Sequence, residues 1–268
     1  MIWMAITYGL QMVKRYGIEH PVFYILGNTI GTFIAPFVLR IHALGGKVYV
    51  NPDGLEWKRS KWSKPVQAYL KYAEKSMAKT VDLVISDNIG IENYIKESYP
   101  DAKTRFIAYG TDLKKSTLTA DDYKVRKCFD NWKTKENGYY LIVGRFVPEN
   151  NYETAIREFM KSNTRRDLII ISNHKNSAYF DKLKHLTNFE RDHRVKFVGT
   201  VYDRDLLNYI RENAFAYIHG HEVGGTNPGL LEALGHTKLN LVLDVSFNKS
   251  VAGASAFYWI KHQVISHV

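Results

Sequence analysis

The chain has 268 residues, 45% hydrophobic and 24% charged, a composition typical of a globular protein that excludes intrinsic disorder. Its formal net charge of +10 favours an anionic partner, such as a phosphorylated ligand, an anionic membrane surface or a nucleic acid. The single cysteine, Cys128, excludes an internal disulfide, and no apolar run reaches the ~20 residues of a membrane-spanning helix.

The first half of the sequence alternates between helical and strand patterns. Trp3, Ile6, Leu10 and Val13 recur at helical spacing, so we expect them to form the buried face of a first helix that runs to about Tyr16. Periodicity and glycine punctuation predict strands at 21–26, 47–50, 83–86 and 105–108, separated by helices at 33–43, 66–79 and 89–98. Such alternation is typical of a parallel sheet with helices on both faces.

Residues 113–137 interrupt this alternation. The stretch is polar, rich in lysine and without a clear strand pattern, so we place a linker there, between a first domain at 1–112 and a second at 138–268. In the second domain the pattern predicts strands at 139–143, 168–172, 195–198, 214–218, 239–243 and 256–259, with helices at 153–162, 177–186 and 204–211 and another beginning around Pro228.

The stretch 221–235, with the sequence HEVGGTNPGLLEALG, follows the predicted strand at 214–218. Gly224 and Gly225 allow a tight turn and a close approach of the backbone to a ligand. Thr226 or Asn227 can cap the helix that begins around Pro228. A strand, a glycine-rich turn and a helix N-terminus together form a site for an anion.

Glu232 lies one turn into this helix, where its carboxylate can accept hydrogen bonds from sugar hydroxyls. An ordinary turn between strand and helix, with Glu232 as a solvated helix residue, explains the local sequence equally well.

Stretch 221–235 resembles the donor-site signature of the GT-B glycosyltransferases of family 4, in which a glutamate at the position of Glu232 binds the nucleotide ribose. The form with His221 and Gly-Gly-Thr-Asn-Pro is similar to that of bacterial rhamnosyltransferases of cell-wall and capsule polysaccharide synthesis. The chain departs from the wider family at Gly224, where a second glutamate is usual, and Glu222 is two residues away.

The resemblance implies an α/β fold of GT-B type, with two Rossmann-like domains built on parallel sheets. It also implies that the chain is truncated at both ends. We expect the N-terminal, acceptor-side domain to lack its first βα unit and the C-terminal donor domain to lack its final helix.

A second motif, 144–151, follows the predicted strand at 139–143. Arg145 can bind a diphosphate through two parallel hydrogen bonds, or it can pair with Glu149 or Glu153 at a helix start. By resemblance this is the diphosphate-binding loop, with Asn150 at a donor-site position that is usually lysine. His221 can reach the donor sugar or phosphate, although a single histidine near a strand end is more often structural.

A third motif, 51–59, follows the predicted strand at 47–50. Asp53 and Glu56 offer carboxylates, Trp57 a stacking face, and Lys58 and Arg59 positive charges. The alternative is a turn with a solvated basic face behind it. By resemblance the loop lies on the acceptor side. Its aspartate takes the place of a histidine common in family 4, so we predict that it orients the acceptor hydroxyl or acts as general base.

The resemblance implies a retaining hexosyltransferase that needs no metal or other cofactor. The expected donor is dTDP-rhamnose, a nucleotide sugar, and the expected acceptor is an undecaprenyl-diphosphate-linked glycan. The basic run between Lys58 and Lys79 is expected to hold a cytoplasmic, peripheral protein on the anionic inner face of the bacterial plasma membrane.

The alternative hypothesis is a truncated, non-catalytic remnant that keeps a nucleotide-sugar or membrane-binding surface. Nucleic-acid binding is not expected, because only the net charge favours it and no helix-turn-helix or RNA-binding signature is present.

Overall fold

The structure, a computed structural model, describes residues 2–59, 61–175 and 177–261. The end of the predicted second domain, 262–268, therefore lies outside the described residues. The chain divides into two compact units. The first comprises Met1–Tyr109 with Val223–Thr226, and the second comprises Gly110–Glu222 with Asn227–Val268.

The first unit contains a parallel sheet in which strands follow one another in chain order, β1-β2-β3-β4. Apolar side chains from the sheet and the helices form its core, including Ile34, Ile41, Val48 and Met77, none of which has measurable exposure. The strands are β1 (Val22–Leu26), β2 (Lys47–Asn51), β3 (Leu83–Ser86) and β4 (Thr104–Phe106), and the helices are α1 (Ile2–Tyr16), α2 (Ala35–His42), α3 (Lys64–Thr80) and α4 (Ile89–Ser98).

The second unit contains a larger parallel sheet. Its strands are β5 (Tyr139–Val143), β6 (Asp167–Ile171), β7 (Val195–Gly199), β8 (Ala216–His219), β9 (Asn240–Leu243) and β10 (Phe257–Trp259). Its helices are α5 (Tyr123–Trp132), α6 (Tyr152–Lys161), α7 (Ala178–Thr187), α8 (Arg204–Glu212), α9 (Pro228–His236) and α10 (Ser246–Ala252).

The strand order in this sheet is β10-β9-β8-β5-β6-β7, so the chain leaves β5 in one direction and returns beside it at β8. Strand β5 is buried along nearly its whole length, because it is central and has neighbours on both edges. A reversal of strand order opens a crevice at the carboxyl ends of the two adjacent strands. The sheet therefore places a crevice after β5 and β8.

The predicted α/β alternation and the parallel sheets are confirmed, but three details differ. Helix α5 lies inside the predicted linker, where only Val125 and Phe129 are buried in a lysine-rich sequence. Helix α10 was not predicted. Trp3 is 56% exposed rather than buried, although its ring packs edge-on against Phe37 with 5.3 Å between centroids.

Among the residues that the structure describes, no helix combines the length and the apolar character needed to cross a membrane.

We predict that Tyr139→Phe lowers the free energy of unfolding by about 1–3 kcal/mol, because the carbonyl of a buried residue loses its hydrogen bond. The Tyr139 hydroxyl, which is fully buried, donates to the carbonyl of Ile210 at the end of α8, at 2.6 Å. Urea unfolding measures the change. Tyr202→Phe is the matched control, since Tyr202 is 86% exposed. Equal effects of the two substitutions would contradict the prediction.

Candidate functional site

A cavity of about 360 Å³ lies in the second unit at the carboxyl ends of β5 and β8. This is where the reversal of strand order predicts a ligand. Five of the residues singled out from the sequence line it together: Arg145, Asn150, His221, Asn227 and Glu232.

Helix α9 begins at the wall of this cavity. The Asn227 side chain caps it by accepting a hydrogen bond from the Gly229 N–H at 2.9 Å, and Pro228 occupies the first turn, where a missing N–H costs nothing. This confirms the predicted cap and assigns it to Asn227. The positive end of the helix dipole therefore contributes to the cavity and favours an anion there.

Arg145 follows β5 and is exposed. Its backbone carbonyl accepts hydrogen bonds from the Asn150 side-chain amide at 2.6 Å and from the Tyr152 hydroxyl at 3.1 Å. Within the described residues the guanidinium makes no hydrogen bond or ion pair, and Glu153 pairs instead with Arg157 at 3.0 Å. The loop backbone is thus held in place while the guanidinium stays available for an oxyanion.

Asn150 connects this loop to His221. Because its NH₂ group donates to the Arg145 carbonyl, its Oδ1 is left to accept a hydrogen bond from His221 Nδ1 at 2.7 Å. The His221 carbonyl in turn accepts from the Asn248 side chain at 2.9 Å. These contacts fix the orientation of the imidazole at the cavity wall.

Glu232 also lines the cavity, and its carboxylate is paired with a residue that the sequence did not single out. Arg211, on α8, donates from Nη2 to Glu232 Oε2 at 2.5 Å. The Arg211 side chain is 4% exposed and that of Glu232 is 37% exposed. The pair therefore joins a buried positive charge to a carboxylate that faces the cavity.

His219 is a second residue of the cavity that sequence reasoning missed. Burial lowers its pKa to about 3, with a smaller contribution from His221, so the ring is neutral near pH 7. Its Nε2 atom is buried and has no hydrogen-bond partner among the described residues. The only sequence signal is its place at the end of an apolar strand. In the described ranges no group of three or more His, Cys, Asp and Glu side chains could hold a metal ion.

Three predicted donor-site residues, Gly224, Gly225 and Thr226, belong to the first unit and are not among the residues lining the cavity in the described part of the chain. Thr226 donates from its backbone N–H to Asp87 Oδ2 and from its hydroxyl to the Asp87 carbonyl, both at 2.7 Å. A Cβ on Gly225 would lie 2.6 Å from Asp87 Oδ2. Any larger residue at this position would therefore force the Asp87 carboxylate to shift.

Asp87, which directly follows β3, was also missed from the sequence. The residue is 3% exposed, and burial raises the pKa of its carboxyl despite the hydrogen bonds from Thr226. The Asp53 charge acts in the same direction. A polar residue after a strand is common, and only the fold shows that this one is buried.

Asp53 lies at an exposed turn of the first unit, with φ of +54°, and its N–H donates to the Asn51 side chain at 2.9 Å. Aspartate tolerates this left-handed conformation better than most residues. Its predicted role toward an acceptor stays a prediction.

The other predicted acceptor-side residues mostly contact one another. Glu56 accepts a hydrogen bond from Trp62 and pairs with Arg59 and Lys61, at 2.8–2.9 Å. Burial alone would raise the pKa of Glu56, but these partners outweigh it and lower the pKa. Its carboxylate therefore stabilises the loop itself.

Trp57 has two lysines near its ring, with Lys71 Nζ 4.6 Å and Lys58 Nζ 5.3 Å from the centroid. The stacking face predicted for a sugar is thus flanked by cations. Lys71, whose side chain is 39% exposed, also contacts the buried Glu74 and the hydroxyl of Tyr94, so its ammonium is already engaged by the protein.

Comparison with solved structures identifies the fold. HepE from Anabaena in complex with UDP superposes with a TM-score of 0.73 at 15% identity, over 97% of this chain and 69% of that one. A glycosyltransferase from Rickettsia africae superposes with a TM-score of 0.74 at 14% identity, over 97% of this chain and 67% of that one. Sucrose-phosphate synthase from Thermosynechococcus elongatus superposes with a TM-score of 0.74 at 15% identity, over 97% of this chain and 65% of that one. The chain has the GT-B fold.

This confirms the predicted fold class, and the chain spans about two thirds of the length of these structures. Residues 2–112 match a family described as "Domain of unknown function (DUF1972)". No curated protein sequence matches the chain.

We predict that His219 makes the protein less stable in mild acid. Its pKa is about 3 in the folded state and 6.5 ordinarily, so the unfolded chain binds the proton first as the pH falls below about 6.5. The free energy of unfolding therefore falls progressively between about pH 6.5 and pH 3, because the buried ring stays neutral while the unfolded chain takes up the proton.

We expect the free energy of unfolding, measured with urea, to fall between pH 7 and pH 5 by about 1–2 kcal/mol more in wild type than in His219→Gln, whose side chain cannot titrate. His185→Gln, at an exposed position of α7, is the control and should behave as wild type. The same pH dependence in wild type and His219→Gln would contradict the assignment.

Proposed function

We propose that the chain is a glycosyltransferase that transfers a hexose from a nucleoside diphosphate sugar. The observation that carries the proposal is the cavity beside β5 and β8, which combines an anion site with a hydroxyl-binding carboxylate. Arg145 and the N-terminus of α9 supply positive charge, and the Glu232 carboxylate supplies oxygen atoms that can accept hydrogen bonds from sugar hydroxyls. A nucleoside diphosphate presents both a double phosphate and sugar hydroxyls.

In the proposed reaction the bond between the anomeric carbon of the sugar and the diphosphate breaks, the acceptor hydroxyl oxygen bonds to that carbon and gives up its proton, and negative charge develops on the leaving diphosphate. A guanidinium and a helix N-terminus that are already in place stabilise that charge without reorganisation. The transfer is proposed to proceed with retention and without a metal ion. His221 is proposed to contact the donor sugar or phosphate, and Asp53 to orient the acceptor hydroxyl or to take its proton as general base.

The proposed donor is dTDP-rhamnose. The fold supports a nucleoside diphosphate sugar as the donor, since HepE, which shares the fold, was crystallised with UDP and with UDP-glucose. The rhamnosyl part rests on the likeness of residues 221–235 to the rhamnosyltransferase signature. The proposed acceptor is an undecaprenyl-diphosphate-linked glycan of cell-wall or capsule polysaccharide synthesis.

Isothermal titration with dTDP and dTDP-rhamnose tests the donor site. We expect micromolar binding, weakened about tenfold or more by Arg145→Ala and by Glu232→Ala, which corresponds to about 1.4 kcal/mol each. Arg157→Ala is the matched control, because Arg157 lies on α6 and pairs with Glu153 rather than lining the cavity. Absence of binding by a folded sample would overturn the proposed function.

A transfer assay then separates an enzyme from a binding protein. We expect release of dTDP only when a lipid-linked glycan acceptor is present, and no change on addition of EDTA. Binding without transfer would favour the non-catalytic alternative. Loss of transfer in EDTA would contradict the metal-independent reaction.

We further propose that the protein associates peripherally with the inner face of the bacterial plasma membrane through a basic face on the first unit. We define the basic face as the exposed lysines Lys58, Lys61, Lys64, Lys75 and Lys79. Tyr72, which is 63% exposed, lies among them on α3. Exposed lysines interleaved with aromatic rings suit an anionic lipid surface.

We expect the affinity for phosphatidylglycerol vesicles, measured by co-sedimentation, to fall about tenfold or more in the double variant Lys64→Glu/Lys75→Glu. The reason is that each lysine near the membrane surface contributes about 1 kcal/mol to binding. The control is Lys115→Glu/Lys182→Glu, which changes the net charge equally at exposed positions of the second unit. Equal weakening by both variants would indicate a general effect of net charge and contradict the basic face as the docking surface.

A further inference from the structure

A second cavity, of about 550 Å³, lies in the second unit at the amino ends of β5 and β6. These strands are parallel, so this cavity is at the edge of the sheet opposite to the cavity at the carboxyl ends of β5 and β8. The five residues of β5 separate the two cavities by about 16 Å, at ~3.3 Å per residue. The two cavities share no lining residue and are separate sites.

Four positively charged side chains line this second cavity, which we call the cationic cavity: Lys133, Lys135, Arg165 and Arg166. Within the described residues the side chains of Lys133, Lys135 and Arg165 make no hydrogen bond or ion pair. Like charges around one cavity repel one another, and this repulsion destabilises the folded chain unless an anion offsets it.

The two acidic residues in the loops of the cationic cavity are both engaged. Asp167 lines the cavity, and its Oδ1 pairs with Lys196 Nζ at 2.9 Å. Glu136 is not among the described lining residues, and its carboxylate accepts a hydrogen bond from the Tyr209 hydroxyl. Among the lining residues that the structure describes, no carboxylate is therefore left to neutralise the four cations.

The two loops that carry these cations are held in place by side chains. Lys196 Nζ donates to the carbonyl of Lys133 at 2.9 Å. Arg166 Nε donates to the carbonyl of Asn137 at 3.0 Å, and the guanidinium carbon of Arg166 lies 3.7 Å from the centroid of the Phe215 ring. The cavity is therefore formed before any ligand binds, which lowers the entropic cost of binding.

Two further features of the cavity do not stabilise the fold by themselves. Lys133 follows α5 in the left-handed conformation, with φ of +49°, which glycine adopts at lower cost. Thr134 has a buried hydroxyl with no hydrogen-bond partner in the described part of the chain. Strain and an unused donor at one cavity indicate a role for these residues beyond folding.

We propose that the cationic cavity binds a phosphate-bearing ligand, either a diphosphate free in solution or the phosphate of a lipid headgroup. A phosphate group carries about 1.5–2 negative charges near pH 7, so it offsets more of the positive charge than a carboxylate does. The Arg165 guanidinium can hold two oxygens of one phosphate, and the lysines act as point charges beside it. The inference is independent of the proposed function, because none of these residues lines the cavity beside β5 and β8.

Isothermal titration with inorganic pyrophosphate tests the site. We expect wild type to bind with a Kd below about 1 mM. The double variant Lys135→Gln/Arg165→Gln should weaken binding about tenfold or more, because two of the four cations are lost. Both side chains are exposed and make no contact that the fold needs, so the variant should fold. The matched control is Lys182→Gln/Arg204→Gln, which removes the same charges at exposed positions of the second unit.

Pyrophosphate can also enter the cavity beside β5 and β8, so the titrations are repeated in Arg145→Ala. We expect the effect of Lys135→Gln/Arg165→Gln to persist there. If Arg145→Ala abolishes binding and Lys135→Gln/Arg165→Gln does not weaken it, the anion binds in the other cavity and the inference is overturned. Equal weakening by Lys135→Gln/Arg165→Gln and by its control would show a general effect of net charge and would also overturn it.

Co-sedimentation with phosphatidylcholine vesicles that contain phosphatidic acid distinguishes the two sources of phosphate. For a lipid headgroup, Lys135→Gln/Arg165→Gln weakens vesicle binding and pyrophosphate competes with the vesicles. For a soluble diphosphate, the same variant weakens pyrophosphate binding and leaves vesicle binding unchanged. Either result supports the cationic cavity as a phosphate site. A variant that weakens neither pyrophosphate binding nor vesicle binding overturns the inference.

Discussion

The pairing of β5 with β8 is the constraint on which the second unit depends. These strands lie side by side although two strands and three helices separate them in the chain, and the sheet grows outward from them in both directions. Their carboxyl ends open into the same space, which brings the Arg145 loop and the start of α9 to one cavity. The polar groups there come from distant segments because the strand order reverses at this point.

A second set of contacts connects this sheet to the end of α8. The Tyr139 hydroxyl, from β5, donates to the Ile210 carbonyl, and the Thr237 hydroxyl, just after α9, donates to the Arg211 carbonyl. The last turn of α8 is therefore tied both to the central strand and to the helix that carries Glu232. The geometry of the Arg211–Glu232 pair follows from backbone positions that the core already fixes.

Local patterns predicted most of the fold. The apolar run at β5, the cap at Asn227 and the proline at the start of α9 carry their signals within a few residues. Helix α5 was missed because only a narrow apolar stripe is buried in a lysine-rich stretch. Arg211 was missed for a different reason. An arginine on a surface helix is usually solvated, and its partner lies 21 residues further along the chain.

The burial of Arg211 has a consequence for how the chain avoids misfolding. Any packing of α9 that displaced Glu232 would leave the buried Arg211 guanidinium without a neighbouring negative charge, which is strongly unfavourable. The same ion pair therefore favours both the docked position of α9 and the completed wall of the cavity. A contact that stabilises the fold of this region thus also sets the position of a carboxylate at the cavity.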